Sequence, residues 1–180
     1  SQRAPSRQIY EKLHQYYRWQ QQTHKALQLS RKLVMQYTDI STITKGLEDA
    51  LAESDLSAKA DFYEALAQQR HLTDNEVWSL VDASDKAYGA NNTLTTLNTL
   101  AQLYPTHARI LAQLARFYLF MGQPEQAASI WPRYSQTEDM RFAEVQWFAK
   151  AFSALGQPEQ ALAALHQSGQ TETLNTSQLE

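Results

Sequence analysis

The sequence predicts an all-α chain built of stacked helix-turn-helix units, and three observations carry that expectation. The hexapeptide Gly122-Gln123-Pro124-Glu125-Gln126-Ala127 recurs letter for letter as Gly156-Gln157-Pro158-Glu159-Gln160-Ala161, 34 residues on. Each copy follows an aromatic-rich stretch of helical spacing, Ala108 to Met121 and Phe142 to Leu155, and precedes a second apolar stretch, Ala127 to Tyr134 and Ala161 to His166. Hydrophobic residues make up 43% of the 180 and charged residues 19%, enough apolar side chain to offset the entropy of ordering. A period of this length is the mark of a repeat architecture, in which each unit buries its apolar face only by stacking on a neighbour.

The hexapeptide is turn chemistry. Gly122 and Gly156 can take the left-handed conformation that ends a helix. Pro124 and Pro158 fall in a first helical turn, where no backbone donor is needed. Glu125 and Glu159 place negative charge at the positive end of the second helix. Ala127 and Ala161 are small where the two helices of a unit must approach closely, and a larger side chain there would cost about 1–3 kcal/mol in overpacking.

Position by position, the chain resembles the tetratricopeptide repeat family. In the unit 108–141 the family places hold Leu111, Leu114, Ala115, Tyr118, Ala127 and Trp131; in 142–175 they hold Val145, Phe148, Ala149, Phe152, Ala161 and Leu165. A unit over 74–107 has Val77, Leu80, Val81, Leu97 and Leu100, with Thr93 for the small alanine, the turn shifted to Tyr88-Gly89, and Pro105 closing it. Two more are read by pattern alone. The unit 7–40 has Tyr10, Leu13, Tyr17, Ala26 and Leu33, and 41–73 has Leu47, Leu51, Ala60 and Ala67. Gln20-Gln21-Gln22-Thr23 and Glu53-Ser54-Asp55 stand where their turn glycines should be. The resemblance implies a right-handed superhelical solenoid of about five repeats, a single domain over 1–180 with a polar tail at 169–180. Beginning at Ser1 without Met, the sequence reads as a segment of a longer protein.

Composition argues against several functions. A net charge of −3 with no basic run offers nothing to hold a phosphate backbone, so nucleic acid is not an expected partner. No stretch approaches the roughly 18 apolar residues of a membrane span, and the opening residues lack the order of a signal peptide. The absence of cysteine removes disulfides and thiolate metal sites and leaves the redox compartment open. Nothing resembles a phosphate-binding glycine loop, a nucleophile elbow or a metal-ligand helix. His14, His24, His71, His107 and His166 are scattered, and read as surface or helix-end residues. The neighbours Glu48-Asp49 and Glu138-Asp139 read as solvated helix ends. The expectation is a non-catalytic chain without metal or cofactor.

The family lines a concave groove with first-helix residues, and the resemblance carries that role to particular positions. Trp78, Asp82, Arg109, Arg116, Gln146, Trp147 and Lys150 are the expected partner-binding residues, with Arg109, Arg116 and Lys150 forming a positive end suited to carboxylates. Lys45, Trp78, Asp82, Gln113 and Gln146 do not reproduce the set with which chaperone-binding members clamp a C-terminal carboxylate. The expected function is a protein–protein interaction scaffold holding a protein or peptide partner. The Gln- and Ala-rich style, and Tyr16-Tyr17-Arg18-Trp19 leading into Lys25-Ala26-Leu27, look like the bacterial repeats that precede outer-membrane exopolysaccharide export barrels of the Pel type. That likeness implies a periplasmic segment in biofilm polymer secretion that docks a polysaccharide-modifying enzyme. Direct polysaccharide binding through exposed aromatics, and self-association, are the alternative roles.

Overall fold

The computed structural model describes residues 7–177, with side chains through 169. It is all helical among those residues. Eleven segments follow one another: α1 (Arg7–Trp19), α2 (Thr23–Gln36), α3 (Ile40–Ala52), α4 (Leu56–Ala67), α5 (Asp74–Tyr88), α6 (Ala90–Leu103), α7 (Ala108–Phe120), α8 (Pro124–Ser129), α9 (Trp131–Tyr134), α10 (Phe142–Ala154) and α11 (Pro158–Ser177). The helix therefore continues through most of the stretch read as a polar tail, whose last three residues lie outside the described ones. The chain gathers into two compact units, Ser1–Gly89 and Ala90–Glu180. In the first, α1 to α5 pack each on the next; in the second, α6 packs on α7, α7 on α8, α8 on α10 and α10 on α11.

The period is visible at the helix starts. Asp39, Thr73, His107 and Arg141 stand at the N-cap positions of the first helices of successive pairs, the first two capping with their side chains. Asp39 and Asp55 accept the Thr42 and Ala58 amides at 3.1 and 2.9 Å, satisfying donors that a helix start leaves without partners. Thr73 forms a reciprocal capping box with Glu76. The Arg70 guanidinium, 2.6 Å from Glu76, and the Thr73 hydrogen bonds draw the Glu76 carboxyl down from 4.5 to about 2, against the opposing effect of burial.

Turn geometry explains why three units were easy to see and two were not. Gly122 and Gly156 adopt φ of 69° and 70°, as the shared hexapeptide requires. At the corresponding ends of α1 and α3 the same left-handed step is taken by Gln21 and Ser54, at φ 55° and 54°. Backbone hydrogen bonds close the step, from the Gln22 N–H to the Tyr17 carbonyl and from the Asp55 N–H to the Ala50 carbonyl, each 2.9 Å, and hold these two residues in a conformation that costs an L side chain about 1–2 kcal/mol. Gly46 in α3 has a different purpose: a Cβ there would lie 2.8 Å from the Phe62 ring of α4.

Most expected core positions are buried, including Ala26, Leu33, Leu47, Ala60, Ala67, Val77, Leu80, Leu97, Leu111, Ala127, Val145 and Phe148. Two are not. Leu51 is 57% exposed and Leu13 37%, because α3 buries Ile43, Gly46, Leu47 and Ala50 and thereby turns Leu51 outward, while α1 buries His14 in Leu13's place. The single second helix expected over Ala127 to Tyr134 is broken at Ile130 into α8 and α9, since Pro132 has no N–H to continue the ladder.

Ser54→Gly should stabilise the fold by about 0.5–1 kcal/mol, the relief of strain less the added chain entropy of glycine, read as a higher urea midpoint at unchanged slope. Glu76→Gln should cost about 1 kcal/mol at pH 7. Because the folded carboxyl titrates below the unfolded one, its contribution is fully present above about pH 4.5 and is lost as pH falls toward about 2. The wild type minus variant difference in unfolding free energy should shrink across that window, measured by denaturation from pH 6 to pH 2.

Candidate functional site

Seven residues were expected to line one groove, and the structure brings only some of them together. In the first unit Trp78 is 43% exposed on α5, while the exposed carboxylate of Asp82 is met by Lys86 one turn on, at 2.7 Å. In the second unit Gln146 and Lys150 are exposed on α10, sharing with Ala149, Ser153 and Leu165 a shallow depression of about 320 Å³. Lys150 Nζ sits 4.6 Å from the ring centroid of half-buried Trp147, a cation–π contact. Arg116 lies half-buried with its guanidinium 5.4 Å from the Phe117 ring.

Arg109 is the clear departure. Its side chain is 1% exposed and forms an ion pair with Glu144 of α10, itself 6% exposed. Tyr134 of α9 donates its hydroxyl to the same carboxylate at 2.9 Å, and burial pushes that phenol's pKa up. Desolvating a guanidinium is tolerable only beside a buried counter-charge. Arg109 is thus a joint between α7 and α10, and the positive groove end loses one of its three expected cations.

The larger concavity lies in the first unit. An open cleft of about 890 Å³ runs between α1 and α3, lined by Gln8, Glu11, Lys12, His14, Gln15, Arg18, Trp19, Lys45 and Glu48. Arg18 bonds Glu48 at 2.7 Å, and Glu11 is held by Arg7 at 2.8 Å. Lys12 and Lys45 are exposed and make no ion pair among the described residues. Trp19 stands 78% exposed at the rim. Sequence reasoning passed over this cleft although the signal was present: the second, fifth, ninth and twelfth places of α1, the family's groove positions, are Gln8, Glu11, Gln15 and Arg18, all on its wall.

Beneath the cleft lies a buried polar knot. His14 Nε2 and Asp49 Oδ2 are 2.5 Å apart, with exposures of 7% and 2%, and the Ser30 hydroxyl donates to that same oxygen at 2.6 Å. The expectation of a surface histidine is corrected at His14 and that of a solvated carboxylate at Asp49, though Glu48 beside it is exposed, because Asp49 falls on the side of α3 packed against α2 and takes its hydrogen bonds from α1 and α2. Ser30 gives its proton to the carboxylate and not to His14, so the trio ties three helices together and does not activate a nucleophile. No cluster of three metal-ligating side chains occurs among the described residues, and no described helix is long and apolar enough to cross a membrane.

No family model and no curated protein sequence matches the chain. Solved structures do. A crystal structure of MamA protein superposes with TM-score 0.59 over 94% of this chain and 93% of its own, at 13% identity. YrrB, described as a TPR protein with an unusual peptide-binding site, gives 0.56 over 91% and 85%, at 12% identity. MamA residues 41-end from Desulfovibrio magneticus RS-1 give 0.54 over 92% and 94%, at 12% identity. This chain has the tetratricopeptide repeat fold. At such identities the likeness is one of architecture.

Asp49→Ala should lower stability by about 1–3 kcal/mol, because His14 and Ser30 are left buried without their acceptor. A reduced urea midpoint with unchanged far-ultraviolet circular dichroism would show it; an unchanged midpoint would mean that the knot holds nothing together.

Proposed function

We propose that this chain is a non-catalytic scaffold for protein–protein interaction, and that the α1–α3 cleft receives a carboxylate-bearing segment of its partner. The observation that carries the reading is the charge balance of that cleft. Glu11 and Glu48 are each held by an arginine, while Lys12 and Lys45 are in no ion pair among the described residues and line the same cleft as exposed Trp19. Uncompensated lysines attract carboxylates, and an aromatic at the rim supplies the kind of anchor that dominates protein interfaces. That YrrB, of the same fold, is described with a peptide-binding site supports a peptide or protein as occupant.

The finer reading places the chain in the periplasm, as the repeat segment of a Pel-type exopolysaccharide export system, with a polysaccharide-modifying enzyme as partner. Its support is the style of the sequence around Tyr16-Tyr17-Arg18-Trp19 and Lys25-Ala26-Leu27. Direct polysaccharide binding is the second reading, favoured by the exposure of Trp19 and Trp78, at 78% and 43%.

Calorimetric titration of the purified chain with a purified polysaccharide-modifying enzyme of its source tests the proposal. Binding should weaken by at least about tenfold in the Lys12→Glu, Lys45→Glu double variant, equivalent to about 1.4 kcal/mol, and should fall with added salt. Equal binding by both proteins would move the site out of the cleft. Absence of enzyme binding together with tryptophan quenching by polysaccharide would give the case to the second reading.

A further inference from the structure

The cleft face recurs on successive first helices. Lys12, Gln15 and Trp19 of α1 stand at the places that Lys45, Glu48 and Ala52 hold on α3. All six are exposed, so this face stays open on α3, which has a helix pair before it and another after it. Two lysines one period apart thus line the same cleft, and one turn beyond Lys45 stands an acid, Glu48, whose partner Arg18 is on the opposite wall.

The Arg18–Glu48 pair crosses the cleft from α1 to α3. Its contact is a single one, Arg18 Nη1 donating to Glu48 Oε2 at 2.7 Å, with the two side chains 46% and 52% exposed. A guanidinium can give one carboxylate two parallel hydrogen bonds. Here Arg18 Nε stands 3.7 Å from Asp49, beyond hydrogen-bond reach, and Asp49 already accepts from Ser30 and is held by His14. The Arg7–Glu11 pair is built differently. Both its members are on α1, and Arg7 is also 3.1 Å from Asp39 and lies over the Tyr37 ring. An exposed ion pair with one point of contact adds little to stability, so a competing carboxylate displaces Glu48 from Arg18 at small cost.

We propose that Glu48 is a built-in competitor for the ligand: it latches the end of the cleft beside Trp19 by occupying Arg18, and a second carboxylate of the bound segment takes its place. This rests on the α1–α3 cleft as the partner site. Along the helices the latch lies about 4.5 Å from Lys45 and about 9 Å from Lys12, and alternate residues of an extended peptide point the same way about 6.6 Å apart. The occupant is therefore a segment with acidic residues at i and i+2, one held by the lysines and the other by Arg18. A segment with one acidic residue meets the lysines and leaves the latch shut, which gives the cleft a preference for doubly acidic sequences.

Calorimetric titration of the whole chain tests this, with a hexaglutamate peptide as probe, hexaglutamine as control, and salt at about 0.15 M, where charges more than about 8 Å apart are largely screened. Glu48→Gln should tighten hexaglutamate binding by about three- to tenfold. The same change made in an Arg18→Gln background should gain less than about twofold, since no latch remains to open. These variants alter exposed side chains, and circular dichroism checks that they stay folded. An equal gain with and without Arg18, or no gain at all, sinks the latch; if the Lys12→Glu, Lys45→Glu variant then still binds hexaglutamate more weakly than wild type, the cleft stands as the site. Hexaglutamate binding to wild type and to the double lysine variant alike, or to neither, overturns the cleft reading and the latch together. So does hexaglutamine binding as tightly as hexaglutamate.

Discussion

Everything in this chain depends on the seam between the second helix of one pair and the first helix of the next. Helices of a dozen residues are marginal by themselves in water, and a single pair cannot bury its own apolar side. The seams supply what is missing, and they do so with different chemistry. Between α2 and α3 the joint is polar, with Asp49 accepting from Ser30 and held by His14. Between α9 and α10 it is mostly aromatic, with the Tyr134 and Phe148 rings stacked at 4.8 Å and Trp131 beside them, and one ion pair, Arg109 with Glu144, buried against it. A polar knot and a buried ion pair add little net stability. They do penalise slippage: a shift of α3 or α10 along its neighbour would strand a charge.

The architecture was legible because turn and packing residues recur at fixed offsets. A repeated Gly-Gln-Pro-Glu-Gln-Ala needs no partner to be understood, since each of its residues answers to its own backbone geometry. The same reasoning lost its grip where the backbone demand was met by an ordinary residue. Gln21 and Ser54 take left-handed φ values in turns closed by backbone hydrogen bonds, and nothing in a glutamine or a serine announces that. Leu51 and the break at Pro132 were misread for a related reason. Spacing gives the period of a helix, but which third of it faces inward is decided by the neighbour.

Charges were harder still. A family template places Arg109 among groove positions, yet the counter-charge that buries it, Glu144, stands one period away in the next first helix. Asp49 and its partner His14 are separated in the same fashion. In a repeat chain, oppositely charged or hydrogen-bonding residues one period apart on successive first helices are neighbours in space, and a template that treats each repeat alone cannot see them. The consequence for the site is direct. A cation spent on a buried carboxylate, as Arg109 is, or laid on an indole, as Lys150 is, has less to offer a ligand than Lys12 and Lys45, whose ammonium groups meet solvent.

Helix α1 carries the cleft wall and an exposed apolar stripe, and helical geometry keeps them apart. At 100° per residue, the cleft wall formed by Gln8, Glu11, Lys12, Gln15, Arg18 and Trp19 is centred about 120° from the stripe formed by Ile9, Leu13 and Tyr16, while half-buried Tyr10 and Tyr17 and buried His14 take the remaining directions. The cleft is lined by amides and charges; the stripe is apolar. A ligand selected by charge in the first has no purchase on the second, and an apolar helix seated on the stripe does not enter the cleft. Because the two surfaces share one short helix held by the His14–Asp49 knot, whatever orders α1 on its outer side also fixes one wall of the cleft, and ordering that wall beforehand lowers the entropy a peptide must lose to bind there.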